Sequence, residues 1–145
     1  MKKIPSIMIV VWGIAVLCTL FLSSCNRPEV LDNSTLVNSA RNVALTFGPA
    51  YVPFFKEANV SDVQVFKKKD YGGDSRPQIR KQIGRKFYTV TFTYDSTAVK
   101  FDFGFAARVR IWKDTGEPLD VIFGNGWGRN FLFLSFKEQT NHSPN

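Results

Sequence analysis

The first amphipathic pattern along the chain is that of a helix. Asp32, Asn33 and Ser34 are favourable N-caps, and Gly48-Pro49 is typical of a helix end. Between them, apolar residues recur at spacings of four, three, one and three, which places them on a single stripe: Leu36, Ala40, Val43, Ala44 and Phe47. We therefore predict a helix between residues 32 and 47, followed by a helical turn within residues 51–57.

From residue 60 onward the hydrophobic period changes to two, which is typical of strands with one buried and one wet side. We expect strands near residues 63–65, 87–94, 99–111, 119–123 and 131–136, with a loop at 71–77 and a hairpin turn at 113–118. The longest alternation, residues 99–111, sets one row (Val99, Phe101, Phe103, Phe105, Ala107, Val109, Ile111) against another (Lys100, Asp102, Arg108, Arg110).

One helix followed by a meander of about five strands predicts the α+β class. The expected architecture is an N-terminal helix packed on a curved antiparallel sheet of about four to five strands. This order of elements resembles the cystatin-like and NTF2-like plans. The aromatic face of the sheet has two interpretations: a solid core, which we favour, or the lining of a ligand-binding cup.

The N-terminus has the layout of a secretory signal. Two lysines follow Met1, residues 4–22 are uncharged, and Ser23-Ser24-Cys25 follows. Leu22-Ser23-Ser24-Cys25 resembles the lipobox of bacterial lipoproteins. The resemblance implies that residues 1–24 are a lipoprotein signal peptide and that Cys25 carries diacylglycerol through its sulfur. The alternative is an uncleaved membrane helix, since the apolar stretch almost spans a hydrocarbon core of about 30 Å.

This interpretation divides the chain into a signal peptide (1–24), a lipidated tether (25–33), a single α+β domain (34–138) and a flexible tail (139–145). Two or more acyl chains give a stable membrane anchor. Asn26 follows the cysteine where aspartate would resemble the inner-membrane retention signal of enterobacteria. We therefore expect the periplasmic face of the outer membrane, with the inner membrane and the cell surface as alternatives.

The net charge of the chain is +7, and residues 67–86 contain eight basic and two acidic side chains. Behind a signal peptide the expected anionic partners are lipid head groups, cell-wall polymers and acidic protein faces, and we do not expect nucleic acid. Arg80, Lys81 and Arg85 are candidate partner-binding residues. The alternative is a solvated basic loop without a specific ligand.

Few residues offer catalytic chemistry. The single histidine, His142, lies in the polar C-terminal tail. Cys18 falls within the signal and Cys25 would be acylated, and the chain has no Cys/His spacing typical of a metal site. We therefore expect no enzyme, no cofactor and no metal. A carboxylate pair assembled by the fold is the alternative, because such pairs have no characteristic spacing.

The glycine-rich segment 123–130 places Trp127 and Arg129 on a loop, and both residue types are enriched at binding hot spots. They are candidate partner-binding residues, although Trp127 folded back onto the core is the alternative. Asp95-Ser96-Thr97 resembles the sequon for O-glycosylation of exported proteins in Bacteroidetes, which implies Ser96 as a modification site.

These features together predict a non-enzymatic, membrane-anchored binding or assembly component of the cell envelope, for example in a secretion or conjugation apparatus, with an envelope protein or glycan as its partner. The alternatives are a small-ligand-binding cup of NTF2-like type, with or without enzymatic activity, and an inhibitor or immunity lipoprotein.

Overall fold

The computed structural model describes residues 31–141, so that Cys25 and His142 lie outside the described residues. Three α-helices, two 3₁₀ helices and six strands make up this part of the chain. In chain order they are α1 (Asn33–Phe47), a 3₁₀ helix (Pro49–Phe54), β1 (Ala58–Val60), β2 (Gln64–Val65), a 3₁₀ helix (Lys68–Tyr71), α2 (Pro77–Arg80), β3 (Lys86–Phe92), β4 (Ala107–Trp112), β5 (Pro118–Phe123), β6 (Gly128–Asn130) and α3 (Phe136–Asn141).

The strands form one antiparallel sheet in the order β1-β3-β4-β5-β6, and β2 pairs with the same strand, β3, as β1. We call the end at the β4–β5 turn, residues 113–118, the hairpin end. The opposite end, which we call the loop end, consists of the turn 95–98, the crossing segment 99–106 and the loop 124–127. No helix in residues 31–141 has the length and apolar character needed to cross a membrane.

Helix α1 begins and ends where the pattern predicts. The Asp32 side chain accepts a hydrogen bond from the Thr35 N–H (2.7 Å), which caps the N-terminus, and the helix ends at Gly48. The predicted stripe packs on one face of the sheet, with Leu36, Ala40, Val43 and Ala44 all buried. Together with residues of β3, β4 and β5 it forms a solid core, which confirms the α+β class.

We expected the far face of the sheet, opposite α1, to be exposed to solvent, but part of it is buried. Residues 66–83 fold over it near the hairpin end and bury a second core. This core consists of Phe66, Ile79, Phe87, Trp112 and Leu119. Phe87 and Trp112 are register partners on β3 and β4, and their rings meet edge to face at 6.3 Å. The alternation in the sequence predicts that one face of the sheet is exposed to solvent, but a short loop-rich segment covers part of that face.

The predicted strand 99–111 is wrong over its first half, because β4 begins only at Ala107. The crossing segment instead bends over the end of β5. Phe101 packs against Tyr51 and Tyr94 at the loop end, and the Phe103 N–H donates to the Gly124 carbonyl (2.9 Å). Contacts among aromatic side chains direct this segment away from the path that a continuous strand would follow. The alternation of apolar and polar residues gives no information about such contacts.

The predicted strand 131–136 is also wrong. The last strand, β6, ends at Asn130, and α3 occupies residues 136–141. Glu138 accepts hydrogen bonds from both the backbone N–H and the hydroxyl of Ser135 (2.7 Å each). These hydrogen bonds make residues 135–138 a capping box, which is a sequence signature of a helix start. This helix start could therefore have been predicted from the sequence.

Candidate functional site

An open groove of about 820 Å³ runs over the edge strand β6. On the far face its walls include Tyr71, Arg110 and Asp120; on the α1 face they include Phe47 and Arg129. The groove therefore flanks β6 on both sides. A ligand in it would contact both polar and aromatic groups.

The floor of the groove on the far face is an ion pair between β4 and β5. Arg110 and Asp120 are register partners, and their side chains are only 17% and 8% exposed. The guanidinium donates from Nε to Asp120 Oδ1 (2.9 Å) and from Nη2 to Oδ2, so that the pair is bidentate. Burial works to lower the pKa of Arg110, but the hydrogen bond and charge of Asp120 outweigh it and raise that pKa. The Arg110 guanidinium therefore stays protonated throughout the physiological range.

One wall of the groove is aromatic and carries a second arginine. Tyr71 and Phe133 meet edge to face at 6.3 Å, and the Arg76 guanidinium lies 4.0 Å from the centre of the Phe133 ring. Burial raises the pKa of the Tyr71 hydroxyl, which keeps it protonated and able to donate a hydrogen bond. Arg76 in turn donates to Asp74 and lowers the pKa of that carboxyl.

Trp127 lies next to the groove on the loop 124–127. Its ring stacks on the buried Phe123 ring at 5.4 Å and is 43% exposed, so that one face packs on the core and part of the ring meets solvent. The Arg129 guanidinium lies 5.7 Å from the Trp127 ring. The two predicted residues are therefore neighbours, and both interpretations of Trp127 hold in part.

The glycines of this loop have different roles. Only Gly126 has a positive φ, +85°. A Cβ on Gly124 would lie 2.5 Å from the Phe105 carbonyl oxygen, and one on Gly128 would lie 2.4 Å from the Val121 carbonyl oxygen. Close approach of two backbones, more than turn geometry, requires glycine at these two positions.

The three basic candidates lie at the hairpin end, away from Trp127, and one of them has a structural role. Arg80 and Lys81 are exposed at the end of α2. Arg85 donates to Asp114 (2.6 Å from Nη2) and to Gln82, and its guanidinium lies 4.0 Å from the Trp112 ring. It therefore ties α2 to the hairpin turn. The basic segment and the Trp127 loop do not form one surface.

Ser96 is exposed in the turn after β3. Its neighbour Asp95 accepts hydrogen bonds from the Thr97 N–H (3.0 Å) and hydroxyl (2.6 Å) and pairs with Lys56 (2.9 Å), which together hold the pKa of this carboxyl well below its usual range. Ser96 is therefore accessible to solvent in a turn that is held by hydrogen bonds of its neighbour. Cys25 lies outside the described residues.

Sequence reasoning missed the ion pair on the groove floor and the role of Tyr71. Arg110 and Asp120 flank the predicted turn at similar distances, so pairing the two arms of the hairpin would have placed them together. In residues 31–141, no group of three or more His, Cys, Asp or Glu side chains is placed to hold a metal ion.

Comparisons with protein families, with curated proteins and with solved structures gave no match to this chain. The likeness to cystatin-like and NTF2-like plans therefore stays a prediction from the order of elements.

Proposed function

We propose that this protein is a lipid-anchored component of the cell envelope that binds another envelope protein or glycan without catalysing a reaction. The observation that carries the proposal is the exposed Trp127–Arg129 pair beside an open groove on the edge strand β6. Tryptophan gives a large contact area at low entropic cost, and both tryptophan and arginine are enriched among the residues that dominate binding energy at interfaces.

The groove favours an extended partner. Gln139 Nε2 donates to the outward carbonyl of Asn130 (2.7 Å), which leaves the Gly128 end of this short edge strand facing the groove. Phe133 and Leu134, which line the groove, are also exposed. A chain lying along β6 would cover these apolar groups and bring polar groups to the Arg110–Asp120 floor.

The space that an alternative small-ligand cup needs is occupied. Residues between α1 and the sheet, among them Val90, Val109 and Val121, have no exposed surface. Of the predicted cup lining, Phe101 and Phe103 lie in the crossing segment and not on a strand beneath the helix. These observations support a surface-binding protein over an enclosed pocket.

The anchor follows from the lipobox-like residues 22–25 and the uncharged stretch before them. Two acyl chains on Cys25 would hold the domain permanently at one membrane, where a modest affinity for a partner in the same compartment is sufficient because tethering raises the effective concentration.

The test is recovery of a cross-linked partner from envelopes of cells that express the full chain. We expect Trp127→Ala and Arg129→Ala each to lower the yield of the cross-linked species about tenfold, the effect of losing one hot-spot residue. Leu45→Ala, an equally exposed apolar position on α1, is the matched control and should change nothing. Full yield from the Trp127→Ala protein, with its fold intact by circular dichroism, would contradict the proposal.

Charge reversal can test two of the three basic candidates as partner-binding residues. Arg80→Glu and Lys81→Glu test a surface contact, because both side chains are exposed. Arg85 is excluded from that test, since its loss would break the link between α2 and the hairpin turn.

A further inference from the structure

The described chain begins at the hairpin end. Leu31 lies against Gly116 in the hairpin turn, with Leu31 Cδ2 3.4 Å from the position of a Cβ on that glycine. Cys25 is six residues upstream, and an extended chain spans at most about 3.6 Å per residue. A lipid on Cys25 would therefore hold the hairpin end within roughly 20 Å of the bilayer.

Two lysines are placed side by side at this end. The register pairs Phe87 with Trp112, and the Lys113 N–H donates to the Lys86 carbonyl (2.9 Å), so the antiparallel ladder sets Lys86 directly opposite Lys113. Their Cβ atoms are then about 5 Å apart on one face. Like charges in this arrangement destabilise a sheet unless an anion neutralises them.

The other charges at the hairpin end leave this basic character in place. Asp114 is paired with Arg85, and Asp32 accepts the capping hydrogen bond of α1. The exposed Glu117 is outnumbered by further cations at the end of α2. By alternation, Lys86 lies on the same sheet face as Tyr88 and Val90, the face covered by α1, so both lysines lie on the face from which the chain leaves towards Cys25.

We propose that the hairpin end binds the anionic phospholipid surface of the membrane in which the chain is anchored, through Lys86, Lys113 and the cations of α2. This inference rests on the proposed lipid anchor. It fixes the orientation of the domain: β5 has six residues of about 3.3 Å each, so the Trp127 loop points away from the bilayer, roughly 20 Å beyond the lysines.

The experiment uses the full acylated protein in vesicles that contain a lipid with a nitroxide on its head group. A fluorophore is attached at Thr115→Cys in the hairpin turn or at Ser96→Cys at the loop end, both exposed positions. With phosphatidylglycerol in the vesicles we expect strong quenching at position 115 and little at position 96. Quenching at 115 should fall in pure phosphatidylcholine, and also in 1 M salt, where charges are screened beyond about 3 Å.

Charge reversal separates specific apposition from mere tethering. Each lysine near an anionic surface changes the ratio of bound to free domain about fivefold, so Lys113→Glu should sharply reduce quenching at 115 and the double change Lys86→Glu, Lys113→Glu should abolish it. Lys100→Glu, an exposed lysine in the crossing segment, is the matched control and should have no effect.

Equal quenching at positions 115 and 96, or quenching at 115 that survives the double reversal, would overturn the orientation. Flotation of the protein with pure phosphatidylcholine vesicles distinguishes this failure from loss of the anchor. A protein that floats but shows no preferred orientation refutes only this inference. A protein that does not float has no anchor, and the proposed function fails together with the orientation.

Discussion

Removal of the carboxylate from the groove floor is the perturbation with the best-defined consequence. Asp120→Ala leaves the Arg110 guanidinium in a site where its side chain is only 17% exposed and where both bonded donors, Nε and Nη2, have lost their acceptor. Breaking a buried pair from one side costs about 3–5 kcal/mol, because an uncompensated charge stays behind. Arg110 borders an open groove, so water reaches part of it, and we expect about 3 kcal/mol.

The assay is equilibrium unfolding in urea, followed by circular dichroism. With a slope of about 2 kcal/mol per molar urea for a domain of this size, the midpoint should fall by roughly 1.5 M with the slope unchanged. Asp114→Ala is the matched control, because it removes the partner of Arg85 at a carboxylate that is 56% exposed. Exposed pairs contribute about 1 kcal/mol or less, so the control should shift the midpoint by at most about 0.5 M.

A double-mutant cycle with Arg110→Met isolates the interaction itself. Replacing both partners with apolar residues removes the stranded charge, so the double variant Arg110→Met, Asp120→Ala should recover at least 1 kcal/mol of the roughly 3 kcal/mol lost in the single variant Asp120→Ala. If Asp120→Ala costs no more than Asp114→Ala, the pair is not desolvated and the description of the groove floor is wrong.

Three further outcomes are expected. Hydrogen bonds from arginines lower the pKa values of Asp74 and Asp114 in the folded protein, so the unfolded chain takes up protons first as the pH falls. The urea midpoint should therefore decrease between about pH 5 and pH 3. An unchanged midpoint would contradict these two ion pairs. Gly124→Ala should lower the stability of the domain by about 2 kcal/mol or more, because the added Cβ forces the crossing segment off β5. Gly72→Ala, which has open space around it, should lower the stability by about 1 kcal/mol because of the positive φ at that position. Equal losses of stability in thermal melts would refute the close approach at Gly124. Ser135→Ala should cost about 1 kcal/mol and expose the amides of α3 to faster hydrogen exchange; unchanged exchange would show that the capping box is not formed.

Elements governed by local chemistry were predictable from sequence. Helix α1 has an N-cap, an apolar stripe and a glycine stop within one segment, and its observed span agrees with the prediction. The hairpin turn also follows from local residues, since Gly116 takes the positive φ (+71°) that the turn requires. Both elements need no information from the rest of the chain.

Elements governed by distant contacts were not predictable. The crossing segment alternates as a strand would, but Phe101 finds its aromatic partners in the 3₁₀ helix 49–54 and in the turn after β3. The second core depends on Phe66 and Ile79, which lie in a segment whose basic composition indicates a loop. In both cases a few long-range aromatic contacts outweigh the local pattern.

The residues of the candidate site were likewise predictable only in part. Trp127 and Arg129 were identified because residue type and glycine-rich surroundings indicate an exposed loop, and the two side chains are adjacent. The groove floor was missed because Arg110 and Asp120 each resemble an ordinary solvent-facing residue when read singly. Charges become informative only when the register of two strands brings them together.

The most direct test of the proposed function is the intact mass of the protein extracted from the cell envelope, together with the mass of its N-terminal peptide. We expect a chain that begins at Cys25 and carries acyl chains on that residue, and we expect Cys25→Ala to abolish both the acylation and the membrane association. A mature protein that retains Met1, or one with a free thiol at position 25, would contradict the anchor and with it the proposed place of action.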